Sequence, residues 1–253
     1  MALSPEQYAR ELRFKLALQG PIDVVQVASS LGIDVYEDEL DRCDGALLRL
    51  DGRALILISL KCTYDSRKRF TVAHELGHFC IPSHNSREFR CTEEEISNYR
   101  SVRMREREAN EFASELLLPL SELQKALKGP PSMRVVRDLA ESYGTSMTAT
   151  AVKVVQGTCE PVAVVLSSKD RIEWAVRSRS FPFSVRRGIL HEHTYAIDYF
   201  TSGNLPGCTE QVLASAWCTD SRRDQLLAEE SIPFHRLNMV LSLLSLPDQE
   251  EDY

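Results

Sequence analysis

The sequence predicts an α+β protein, on three observations. Apolar residues recur at helical spacing in segments that open on capping residues and close on glycine or proline. An Asp-Gly pair stands between two apolar runs, the pattern of a β-hairpin. From Pro161 onward the texture shifts to short strand-like runs. The boundaries drawn from these signals are residues 1–128 for a first domain with a small β-sheet, 129–160 for a helical connector, and 161–253 for a mixed α/β carboxy-terminal module.

In order, Ser4 caps a first helix, Pro5 suits its first turn and Gln7 completes a capping box, with Gly20 as the expected stop. Asp23 caps a second helix over Val24 to Leu31, stopped by Gly32. Ile33 to Tyr36 reads as a strand. Ala46 to Leu50 and Arg53 to Leu60 form the hairpin about Asp51-Gly52, whose turn residues need positive φ. Ser66 to Cys80 is a helix with Val72, Leu76 and Phe79 on its buried face. Thr92-x-x-Glu95 is a second capping box, opening a helix that runs to about Leu118 and closes at Pro119. A short helix from Ser121 ends at Gly129, and Gly129-Pro130-Pro131-Ser132 is a linker. Met133 to Tyr143 and Met147 to Val155 are helices joined at Gly144. Val162 to Leu166 and Arg171 to Val176 form a hairpin. Pro182 to Asp220 reads as strands and loops, and Met239 to Leu246 as a terminal helix or strand.

The composition narrows the class. The 253 residues are 43% hydrophobic and 26% charged, an ordinary globular balance. Thirty Lys and Arg against 37 Asp and Glu leave a formal charge of −7, which disfavours a broad basic surface for nucleic acid. No apolar run approaches the ~18 residues of a membrane span. The amino terminus carries Glu6, Arg10, Glu11 and Arg13 and so lacks a signal-peptide core. Seven cysteines without a C-x-x-C pair suit reduced thiols in a cytoplasm.

The chemistry centres on His74-Glu75-Leu76-Gly77-His78, an H-E-x-x-H pattern inside a helix. Side chains four apart share a helix face, so both imidazoles can reach one metal ion. Glu75 is placed to take a proton from water that the metal activates. A catalytic zinc takes three protein ligands, so a third must come from another helix. Glu106 and Glu108 are the candidates. At 100° per residue, Glu106 lies within about 60° of Val102, Ala109, Asn110, Ala113 and Leu117, a small and apolar face suited to close approach. Glu108 shares its face with Met104, Arg105, Glu111, Phe112 and Glu115, and reads as solvated. A carboxylate on an apolar stripe is costly unless it is paired or metal-bound, which favours Glu106. Asn110 is placed to orient a ligand histidine.

Arg69-Phe70-Thr71-Val72-Ala73 followed by the H-E-x-x-H residues resembles the active-site helix of the ImmA/IrrE family of metallopeptidases. Glu106-x-x-Ala109-Asn110-x-Phe112-Ala113-x-x-Leu116-Leu117-x-Pro119 is similar to that family's second signature. The resemblance covers roughly residues 20 to 125. One departure is Leu118, where the family often shows methionine, an apolar exchange. The resemblance implies a gluzincin-like zinc peptidase domain with His74, His78 and Glu106 as metal ligands and Glu75 as general base. It implies zinc as the cofactor, with manganese as an alternative. IrrE proteins combine a peptidase domain, a helical middle and a carboxy-terminal domain similar to GAF sensor modules. That plan would give residues 161–253 a GAF-like character and a small-molecule effector.

The reading that follows is a cytoplasmic zinc metalloendopeptidase, regulatory in transcription and stress response, whose protein substrate is a helix-turn-helix repressor. No direct nucleic-acid contact and no membrane are expected. The alternative is a non-proteolytic regulator that binds a protein partner or DNA and holds a structural metal; Glu75 favours the peptidase, since a structural site needs no base. Met133 to Val155 resembles a helix-turn-helix only weakly, because its second helix carries Lys153 alone as a basic residue. His191-x-His193 lacks a third ligand, and His84 and His235 read as surface residues. Arg100, Arg103, Arg105 and Arg107 read as a solvated face. Glu93-Glu94-Glu95 suits a helix start, and the cysteines read as packing residues. No spacing rule chooses between Tyr99 and Tyr143 as oxyanion donors.

Overall fold

The structure is a computed structural model and describes residues 3–41, 43–50, 52–84, 88–91, 104–222 and 224–247. The Thr92/Glu95 capping box, Glu93 to Glu95, Tyr99, Arg100, Arg103 and Asp51 lie outside the described residues. The chain divides into two units, Met1–Glu122 with Leu139–Ser146, and Leu123–Asp138 with Met147–Tyr253.

In the first unit, α1 (Pro5–Lys15) opens on the Ser4 capping box, with Ser4 N donating to Gln7 Oε1 at 2.7 Å and Gln7 N to Ser4 Oγ at 3.3 Å. It stops well before Gly20. Ala17 takes the left-handed conformation (φ 50°), and Leu18 N donates back to Arg13 O at 2.9 Å, closing the helix without a glycine. Helix α2 (Val24–Ser30) is capped by Asp23, whose carboxylate accepts from Val25 N and Gln26 N. Strands β1 (Ile33–Asp38), β2 (Gly45–Leu50), β3 (Arg53–Ser59) and β4 (Glu88–Cys91) form a sheet in the order β1-β3-β2-β4. The hairpin places Leu50 opposite Arg53, with Gly52 at φ +81°. Strand β1 lies parallel to β3.

Helix α3 (Asp65–Cys80) packs on this sheet and against α4 (Met104–Leu117). Leu47, Ile56, Ile58, Val72, Leu76, Phe112 and Leu116 make the core between them. Helix α1 covers another side of α4: Arg10 Nε pairs with Glu115 at 2.8 Å and Arg13 Nη1 donates to Leu116 O at 2.7 Å. The wheel drawn from sequence gave α4 one buried face. Because two helices pack on it, Phe112 and Glu115 are buried as well, and the Glu108 side is not the solvated face expected.

Helix α5 (Leu120–Ala126) follows Pro119, and α6 (Met133–Tyr143) and α7 (Met147–Gly157) follow the Gly-Pro-Pro segment. Gly144 turns between them at φ +61°. Lys153 is buried, so α7 does not present the one basic side chain that a DNA-reading helix would need.

The second unit holds an antiparallel sheet in the order β7-β6-β5-β10-β9-β8. Its strands are β5 (Val162–Ser168), β6 (Arg171–Arg177), β7 (Gly188–Ile189), β8 (Glu210–Leu213), β9 (Leu226–Phe234) and β10 (Met239–Ser245). The ambiguous stretch before Asp220 contributes α8 (Tyr195–Ser202) and α9 (Ala214–Trp217). The terminal apolar run is a strand. Strand β9 escapes a period-two reading because Glu229, Glu230 and Pro233 interrupt its apolar pattern. Pro233 lies beyond Leu226 to Glu229, the stretch of β9 that β8 pairs with, so its missing N–H costs no bond to β8. Glu229 is buried because Tyr195 N, Ala196 N, Trp217 Nε1 and Ser231 Oγ all donate to it, at 2.7 to 3.1 Å. Phe181, Trp217, Leu227, Val240 and Leu244 complete this core.

Candidate metal centre

Thr71 through His78 are all buried, the stretch of α3 held between the sheet and α4. The close crossing of α3 and α4 depends on small residues. A Cβ on Gly77 would stand 3.1 Å from Ala109 Cα and 3.2 Å from its carbonyl oxygen. That approach carries Glu106, one turn before Asn110, over the two histidines.

His74 Nε2 and His78 Nε2 lie 3.1 Å apart, and Glu106 Oε2 is 3.2 Å from the first and 3.3 Å from the second. These donor atoms lie within 4.8 Å of one another, and all three side chains are buried. Two imidazole nitrogens and a carboxylate oxygen facing one point are the donor set of a catalytic zinc or similar divalent ion. The other ring nitrogens agree with that use. His74 Nδ1 meets Asn110 Oδ1 at 2.8 Å, so Nδ1 carries the proton and Nε2 has a free lone pair for a metal. The carbonyl of Tyr143 accepts from Arg69 Nη2 at 3.2 Å, on the side of the unit that holds residues 139–146.

Charge is shared within the cluster. Burial alone would raise the Glu106 carboxyl, but its close contacts with the His74 and His78 imidazoles outweigh it and hold the group well below the ordinary carboxylate range. Burial lowers His78 to about 4. Burial also opposes charge on His74, yet Glu106, Glu75 and Asn110 outweigh it and raise that imidazole.

Glu75 is fully buried beside the β2 strand. Gly45 presses on it: a Cβ there would stand 3.0 Å from Glu75 Oε1 and would overlap the Thr71 methyl group. Asp44, just before the strand, pairs with the Arg67 guanidinium, which ties the start of β2 to α3.

The sequence missed three parts of this neighbourhood. His84, expected at the surface, is fully buried; its Nδ1 is 3.0 Å from His78 Nδ1 and its Nε2 is 2.8 Å from Glu108 Oε2. Glu108 is thus a partly covered partner of His84 rather than a solvated residue. Arg49 of β2 donates to the carbonyls of His78 at 2.7 Å and His84 at 2.9 Å, and its guanidinium lies over the Phe79 ring. The available signal was the crowding of His74, His78 and His84, half of the chain's six histidines, into one short segment. Gly45 gave no signal.

Other sequence candidates stand apart from the centre. His235 is exposed, with the Tyr199 hydroxyl 3.1 Å from its Nδ1. Among the described residues, no third ligand joins His191 and His193. Arg105 and Arg107 are exposed, and Arg107 Nε lies 3.6 Å from Glu111. Burial pushes the Cys80 and Cys218 thiols up to about 12, as suits packing residues.

A helix-borne histidine pair faced by a carboxylate from a crossing helix is a donor set suited to a divalent metal, as found in metallopeptidases. Residues 28–154 match the peptidase M78 family, described as the IrrE N-terminal-like domain. The chain belongs to this ImmA/IrrE family of metallopeptidases. A search of the curated proteins found no match.

Proposed function

We propose that the protein is a zinc-dependent metalloendopeptidase that cleaves a cytoplasmic helix-turn-helix repressor and so relieves repression, as part of transcription regulation under stress. The observation that carries this reading is the convergence of His74, His78 and Glu106 beside a buried Glu75. The roles follow from chemistry. His74, His78 and Glu106 hold the metal, zinc by donor preference and manganese as a workable substitute. When bound, the metal supplies Lewis acidity toward water and the scissile carbonyl. The Glu75 carboxylate takes one proton from the attacking water as oxygen bonds to the carbonyl carbon. It returns that proton to the amide nitrogen as the C–N bond breaks. Burial of Glu75 excludes bulk water from this exchange.

Regulation is assigned to the part beyond the catalytic residues. With residues 1–128 as the peptidase domain and 129–160 as connector, the module at 161–253 acts as a small-molecule effector domain. In its support, a cleft of about 620 Å³ is lined by Pro130, Pro161, Phe183, Arg222, Leu246 and Pro247, a volume suited to a small ligand. Among the described residues no helix is long and apolar enough to cross a membrane. The acidic balance and the buried Lys153 favour action on the repressor's protein chain over occupation of its operator.

The test pairs two assays on the purified chain. Incubation with candidate helix-turn-helix repressors, plus zinc or manganese, should yield discrete fragments of one or a few of them, and a gel shift with the operator DNA of that repressor alone should show no complex. Broad degradation of unrelated unfolded proteins would undermine the regulatory role. Specific operator binding without cleavage would replace the peptidase by a non-proteolytic regulator.

A further inference from the structure

We propose that His84 and Glu108 are positioning residues that orient the ligand His78 from outside the metal's own donor set. The inference rests on the peptidase reading and deepens it. With a metal held at His78 Nε2, one proton arrangement fits the distances. His78 Nε2 faces His74 Nε2 at 3.1 Å and Glu106 Oε2 at 3.3 Å, so this nitrogen must be bare to take a metal. The proton of neutral His78 then sits on Nδ1, which points at His84 Nδ1 across 3.0 Å. His84 must accept there, so its own proton sits on Nε2 and is donated to Glu108 Oε2 at 2.8 Å. Every donor in the chain finds an acceptor, and the series ends on a carboxylate.

The two ligand histidines are therefore held by different means. His74 donates to Asn110 on α4, one turn after Glu106. The Nδ1 side of His78 is met by an imidazole from the turn after α3. That turn is itself fixed, because His84 N donates to Ile81 O at 2.9 Å and Arg49 Nη1 donates to His84 O at 2.9 Å. Arg49 also grips the His78 carbonyl, so the ligand and its orienting partner are anchored by one guanidinium. His84 is fully buried with both ring nitrogens committed.

Residues that orient a metal-bound histidine typically contribute 10- to 100-fold in metal affinity, roughly, when removed. The experiment uses the full chain stripped of metal. Zinc affinity is measured by competition with a chromophoric chelator, and the visible absorption of the cobalt-substituted protein is recorded. Thermal midpoints of the metal-free proteins report folding separately. His84→Leu should weaken zinc by about 10- to 100-fold and change the cobalt bands. His84→Asn places Oδ1 where Nδ1 stood, keeps an acceptor for His78, and should recover most of the affinity. Glu108→Leu should weaken zinc and Glu108→Gln, which retains a carbonyl acceptor, should stay near wild type. If His84→Leu does not fold, the contrast between Glu108→Leu and Glu108→Gln decides. Wild-type affinity and cobalt bands in His84→Leu, or in Glu108→Leu where the first variant does not fold, would overturn the proposal while leaving the peptidase reading intact. So would equal losses in the Leu and Asn variants that follow their thermal midpoints. A wild-type chain that takes up no metal would instead overturn the peptidase reading and this inference together.

Discussion

Glu106 and Glu108 stand two residues apart on one helix and do different work, and the difference is one of direction. Glu106 points between the two imidazoles, whereas Glu108 reaches His84. Removing charge from each should separate them. Glu106→Gln should weaken zinc binding far more than Glu108→Gln, read as metal content after dialysis against a chelator; the reverse order would refute the assignment. The choice of Glu106 was legible because a carboxylate on an apolar stripe needs a partner. The position of Asn110 was legible because one helical turn separates it from Glu106. His84 was not legible. It lies past the end of α3, where no helical period relates it to His78, and its burial depends on Arg49 reaching across from β2.

Among the elements, β2 and α3 meet through Gly45. A methyl group there must displace either Thr71 or the Glu75 carboxylate. Gly45→Ala should lower stability by about 1–3 kcal/mol, the usual cost of overpacking. It should also slow cleavage while metal content is retained, since no ligand is touched. Normal turnover with normal stability would show that Thr71 yields and Glu75 does not move. In the second unit Glu229 fastens the start of α8 and the Trp217 indole to β9. A glutamine turns amide hydrogens toward some of these donors. Glu229→Gln should destabilise this unit by roughly 2–4 kcal/mol, from buried donors left unsatisfied. Trp217 emission should shift to the red in the folded protein; an unchanged denaturation midpoint would contradict the role given to Glu229. The capped helices α1 and α2 and the two hairpins were readable because their signals are local. Strand β9 was not, because three of the four donors that justify its buried acidic residue come from the start of α8 and from Trp217, outside the strand.

At the scale of the whole molecule, the metal cluster joins α3 to α4, elements separated in sequence by β4 and by residues outside the described set. A bound metal should therefore stabilise the first unit by mass action, and chelation should lower its thermal midpoint. A midpoint indifferent to both zinc and chelator would argue that the site is not loaded in the folded protein. The central claim is that this folded cluster hydrolyses peptide bonds with Glu75 as the base. The most direct measurement compares wild type with Glu75→Gln at matched metal content, using mass spectrometry to find new amino termini in a peptide library. The account predicts equal zinc in both proteins, metal-dependent cleavage by wild type, and a loss of about 10²–10⁴-fold in the variant. Cleavage by Glu75→Gln at the wild-type rate would contradict it.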